Sequence, residues 1–152
     1  MTPTRYEWAG GEAALERLTD VFYAKVLADP ALAPVFAHMD PGHAHFVAMW
    51  LGEVFGGPAA YTARRGGYPH MLGEHLGRAI TEAQRRRWLE LMMDAADEAG
   101  LPGDPEFRAA FVGYLEWGTR LAVSNARPGA EPAREAPVPR WGWGEAPPCQ
   151  PS

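Results

Sequence analysis

The chain is poor in the residues and runs that several protein classes require. One cysteine stands among 152 residues, Cys149, close to the C-terminus. That excludes an intrachain disulfide and a cysteine-based metal site. No apolar run approaches the roughly 20 residues that span a bilayer, and "MTPTRYEWAGGEAALERL" at the N-terminus lacks the apolar core of a signal peptide. Positive charge is not in excess: the formal net charge is −5, which argues against nucleic acid or an anionic membrane as the main partner. HExxH, phosphate-binding loops, dinucleotide fingerprints and hydrolase nucleophile motifs are missing. So are hairpin signals and any repeat of 20–50 residues. A cytoplasmic location is the resulting expectation.

Apolar residues make up 47% and charged residues 22%, a globular profile of a length that suits one domain with a real core. Nearly every periodic segment reads as helix. Leu15, Leu18, Phe22 and Val26 repeat at helical spacing. Pro30, Pro34 and Pro41 then leave room for only a short turn around Ala31 to Phe36. Asp40 and Pro41 read as N-cap and first turn of a helix carrying His43, Phe46, Val47, Trp50 and Val54 on one stripe. "GGP" at 56–58 stops it, and 59–67 reads as loop. "TEAQ" at 81–84 is a capping box for a helix with Trp88, Leu91, Met92, Ala95, Ala96 and Ala99 on one face. Asp104 and Pro105 start a last long helix through Phe107, Phe111, Tyr114, Leu115, Gly118 and Ala122. From Arg127 the final 26 residues hold seven prolines and three glycines. Composition favours a disordered tail, although Trp141 and Trp143 would gain by packing back on the domain.

Five histidines invite a site: His38, His43, His45, His70 and His75. His43 shares the apolar face of its helix, while His45, about 200° round, is expected to face solvent. A histidine on an apolar face is ordinarily a satisfied core residue. His75 is set apart by Gly73 and Gly77 and by a segment too short to be a stable helix alone. A bond to a cofactor would anchor it. Zinc would want more ligands at regular spacing. Haem would suit a wide apolar slot with one axial imidazole, but these residues alone equally allow an all-α domain with buried structural histidines.

The order of motifs adds to this reading. "AGG" before the first long helix, "FY" at 22–23, "VF" at 35–36, "GGP" at 56–58 followed by Tyr61, His75, and "RRRWL" at 85–89 together resemble the group II truncated haemoglobins, over roughly residues 5 to 126. The resemblance implies an all-α, two-over-two helical sandwich around haem b, with a globin domain at 1–126 and a tail at 127–152. It implies His75 as proximal iron ligand; His70, directly after Pro69 at the start of its segment, is expected to point outward. Tyr23 and Trp88 would donate hydrogen bonds to the iron ligand, and Phe36 would pack on the porphyrin. His43 and Val47 would face the iron, and Trp50 lies on the same stripe. Glu74 stands where relatives often carry a basic residue, so Arg64, Arg65 or Arg78 would anchor the haem propionates. Three functions remain open: a binder of O2 and related diatomic ligands at five-coordinate iron; a haem peroxidase or NO dioxygenase, acting on peroxide or NO and drawing on a reductase partner; or a haem-free helical interaction module.

Overall fold

A computed structural model describes residues 2–67, 80–129 and 136–144. They form seven helices and no strand: α1 (Arg5–Ala9), α2 (Gly11–Ala28), α3 (Ala33–Phe36), α4 (His43–Val54), α5 (Ala60–Arg65), α6 (Glu82–Glu98) and α7 (Pro105–Ala126). α2 lies at the centre, packed on α4 and α6 and touched by α1 and α3, while α6 also packs on α7. Phe22, Phe55, Phe107 and Phe111 are fully buried between these layers. Each such ring contributes about 1.5–3 kcal/mol over an exposed one.

The helix starts follow local chemistry. Thr81 accepts from the Gln84 N–H at 3.1 Å and Gln84 returns the bond to the Thr81 N–H at 2.9 Å, a complete capping box. Asp104 caps α7 with Pro105 in its first turn. α4 begins later than the sequence suggests: Asp40 accepts from the Gly42 N–H at 2.7 Å, closing a turn of its own, and the helix starts at His43. The short turn near 31–36 narrows to Ala33–Phe36.

Two helices go unannounced by periodicity. α1 is one turn capped by Thr4 and closed by Gly10 at φ 111°. α5 replaces the expected loop because tertiary contacts hold it. Tyr61 is buried against Trp50 at 5.1 Å, the buried Glu53 carboxylate accepts from the Thr62 N–H at 2.9 Å, and Gly66 at φ 85° ends the turn.

The strip 136–144 lies on the domain. Trp141 donates its backbone N–H to the Val54 carbonyl at 2.8 Å, and its own backbone carbonyl accepts from Arg5 at 3.2 Å. Trp143 donates its indole N–H to the Pro3 carbonyl at 2.7 Å and meets Trp8 edge-on at 6.1 Å. The strip thus ties α1, the end of α4 and α7 together.

Candidate functional site

α2, α3 and α4 bring three of the candidate residues together. Tyr23 Oη and His43 Nε2 are 2.9 Å apart, and the two rings meet edge-on at 5.0 Å. Phe36 lies 5.8 Å from Tyr23 and 6.2 Å from His43, ring to ring. Trp88 joins from α6 through Phe22, which stands 4.8 Å from Tyr23 and 4.9 Å from Trp88. Phe22, part of the "FY" motif and given no role there, is the linking residue. Its total burial, between Tyr23 and Trp88, makes it the mount of both.

The polar atoms of this group are the paired Tyr23 hydroxyl and His43 imidazole and the Trp88 indole N–H. Burial pushes the Tyr23 hydroxyl well above the ordinary phenol range, so it stays protonated at neutral pH. The Trp88 indole N–H donates to no acceptor among the described residues. Phe36, Phe46, Val47 and Trp88 are only half-buried, each packed against the core on one side. The imidazole–phenol pair beside the half-buried Phe36 ring suits an apolar group that carries a small hydrogen-bond acceptor.

The other candidates fall elsewhere. Trp50 is buried, and its indole N–H donates to the Tyr114 hydroxyl at 2.7 Å. Burial raises that hydroxyl to about 12. Arg65 lays its guanidinium over the Phe46 ring at 3.8 Å. Arg64 lines a separate cavity of about 130 Å³, with Tyr6, Glu16 and Met49 among its walls. His45, expected to face solvent, is half-exposed and borders the same cavity, with Nδ1 at 2.5 Å from Glu16. His70, His75 and Arg78 lie outside the described residues.

The family model for bacterial-like globins matches residues 4–116. The group 2 truncated haemoglobin YjbI of Bacillus subtilis is 36% identical over 115 residues, 76% of this chain and 85% of that protein. The chain belongs to the bacterial-like globins, as a truncated haemoglobin of group II. Solved structures agree. The group II truncated haemoglobin of Bacillus anthracis superposes with a TM-score of 0.74 at 29% identity, covering 85% of this chain and 97% of that one. A truncated oxygen-avid haemoglobin from Bacillus subtilis gives 0.70 at 35%, covering 80% and 99%. The all-α arrangement is therefore the two-over-two globin sandwich, with α2 and α4 as one pair and α6 and α7 as the other. Membership implies a haem-type cofactor, and the polar Tyr23–His43 pair beside the half-buried Phe36 fits one.

Proposed function

We propose that this globin binds O2 and related diatomic ligands on haem b, with His75 as the iron ligand and Tyr23, His43 and Trp88 around the bound gas. The observation that carries the reading is the 2.9 Å pairing of Tyr23 with His43 inside an aromatic wall. When bound, haem supplies reversible coordination of a diatomic molecule at five-coordinate ferrous iron. Of the propionate anchors, Arg65, laid on Phe46 of α4, is the better placed, because Arg64 belongs to the cavity beside His45.

The chain's own residues govern how long a ligand stays. One proton lies between Tyr23 Oη and His43 Nε2, and its direction matters. If Tyr23 donates to the imidazole, its proton is used internally. If His43 donates from Nε2, the Tyr23 proton is released to point at the ligand. Protonating His43 enforces the second arrangement, since the imidazolium can only donate. The Trp88 indole N–H is a second donor. Phe36 and Val47 exclude water, which strengthens both bonds. A bond to a partly charged acceptor is worth about 1.5–3 kcal/mol, roughly tenfold in dissociation rate per 1.4 kcal/mol. The oxygen-avid relative from Bacillus subtilis supports a slow-release pocket here.

The test is O2 dissociation measured by stopped flow on the ferrous protein. Trp88→Phe should raise the rate severalfold. Unchanged rates in both Trp88→Phe and Tyr23→Phe would leave these as core aromatics. Sustained turnover of peroxide, or of NO with a reductase, would move the reading to a haem enzyme.

A further inference from the structure

Outside the ligand site the molecule carries a second aromatic series, which ends at the surface. It begins on α4. Trp50 stands seven residues from His43, about 20° away around the helix, so the two share a face with about 10 Å between them along the axis, the one longer step of the series. Trp50 donates its indole N–H to Tyr114 at 2.7 Å. Tyr114 lies 6.1 Å from Trp117 and 5.7 Å from Trp141, ring to ring, and Trp117 and Trp141 are 5.7 Å apart. Trp50 and Tyr114 are buried, whereas Trp117 is 41% exposed, one of only three exposed large apolar side chains among the described residues.

Packing explains Trp50 and Tyr114 but gives no reason to leave the last indole in water. We propose that Trp50, Tyr114, Trp141 and Trp117 conduct oxidising equivalents from the haem pocket to the surface, with Trp117 as the outlet where a reductant supplies electrons. This rests on the haem reading above. Tryptophan and tyrosine are the most readily oxidised side chains of this series, and electron tunnelling falls steeply with distance, so touching rings favour short steps over one long one.

The residues also differ in where an oxidised ring can rest. A tyrosine gives up its phenol proton on oxidation, and the buried Tyr114 hydroxyl donates to no acceptor among the described residues, while it accepts from Trp50. Tyr114 is therefore a relay rather than a terminus. Trp117 reaches water, so its oxidised indole can release the N–H proton there. The balance closes with peroxide as oxidant and an ascorbate-type hydrogen-atom donor as reductant. Each H2O2 takes two electrons and two protons and becomes two waters. Trp117 loses one electron and one proton in each of two successive oxidations. Each time, the donor returns one hydrogen atom and becomes a radical itself.

The holoprotein, its haem content fixed by absorbance, is treated with one equivalent of hydrogen peroxide. Radicals are followed by freeze-quench electron paramagnetic resonance, and oxidised residues are mapped by peptide mass spectrometry. A cyanide-ligated sample is the control for direct attack from solution. Tryptophan radical and oxidation products should concentrate on Trp117 and Trp141, severalfold above the cyanide control. Ascorbate should suppress them. Trp117→Phe should retain the haem, lose the surface product and bleach faster under peroxide. Tyr114→Phe should lower Trp117 oxidation at unchanged haem content. Oxidation of Trp117 equal to the cyanide control, or unaffected by Tyr114→Phe, would overturn the conduit while leaving haem binding intact. Failure to take up haem would overturn both readings and would be seen in the absorbance alone.

Discussion

Tyr23 and His43 form the most informative pair at the scale of single residues. Either one alone reads as a core aromatic or a core histidine. Their 2.9 Å contact, with Phe36 beside them, gives a polar point in an apolar wall. Tyr23→Phe removes the phenol proton and keeps the ring, so the fold should survive while O2 dissociation rises about tenfold. His43 adds a pH effect with a definite sign. As pH falls and the imidazole gains its proton, Tyr23 is freed to donate outward and O2 release should slow. His43→Leu should flatten that dependence in stopped-flow rates measured across the neutral range. An acid-independent rate in the unaltered protein would show that His43 does not set the direction of the Tyr23 proton. Tyr23, Trp88 and Phe36 were legible as motif positions, but the role of Phe22 as the mount of Tyr23 and Trp88 was not. A buried phenylalanine at helical spacing looks the same whether it fills a core or positions two donors.

At the scale of elements, "RRRWL" at the start of α6 divides its labour in a way that composition conceals. Arg85 is buried. It grips Glu82 through two nitrogens at 2.9 and 2.7 Å and Glu116 of α7 at 3.0 Å. Arg86 stays in water, and Arg87 reaches Asp29 at 2.8 Å. Arg85 thus joins α6 to α7, and Arg87 joins α6 to the end of α2. The Arg85 hydrogen bonds hold Glu82 down at about 2 from an ordinary 4.5, and Arg120 and Arg85 hold Glu116 below its usual range. A depressed carboxylate stabilises the fold fully above its ordinary value, and that contribution disappears as pH falls through the folded one. Stability should therefore decline between about pH 4.5 and 2 in part through this cluster. Arg85→Ala should cost ~1–2 kcal/mol in urea unfolding at neutral pH, and less in acid. An equal loss at both pH values would mean that Arg85 acts by packing alone. The long helices were legible from their stripes and caps. α5 was not, because Tyr61 and the Glu53–Thr62 bonds, rather than any periodicity, hold its six residues in a helix.

The whole molecule adds a closure that lies beyond the matched family region. Residues 136–144 run across α1, the end of α4 and α7, fastened by Trp141 to Val54, by Arg5 to Trp141 and by Trp143 to Pro3. Proline and glycine content predicted a loose tail, and nothing in it reveals that Arg5 is buried with its guanidinium 4.0 Å over Phe55. That contact is between residues 50 apart in sequence, so no local pattern carries it. Trp141→Ala removes the indole packed against Tyr114 and Trp117, while the backbone bonds to Val54 and Arg5 can remain. It should lower stability by ~2–3 kcal/mol, read as a fall in the thermal midpoint. An unchanged midpoint would mean that the strip adds nothing to the fold. The proposal for the whole assembly is a globin sandwich that takes up haem through His75. The direct measurement is the visible absorbance of the protein after reconstitution with hemin, beside His75→Ala and His70→Ala. The unaltered protein and His70→Ala should show a full Soret band that persists through gel filtration, while His75→Ala should lose it. A stable band in His75→Ala with loss in His70→Ala would mean that His70 and not His75 holds the iron, and no band in the unaltered protein would mean that the sandwich takes up no haem.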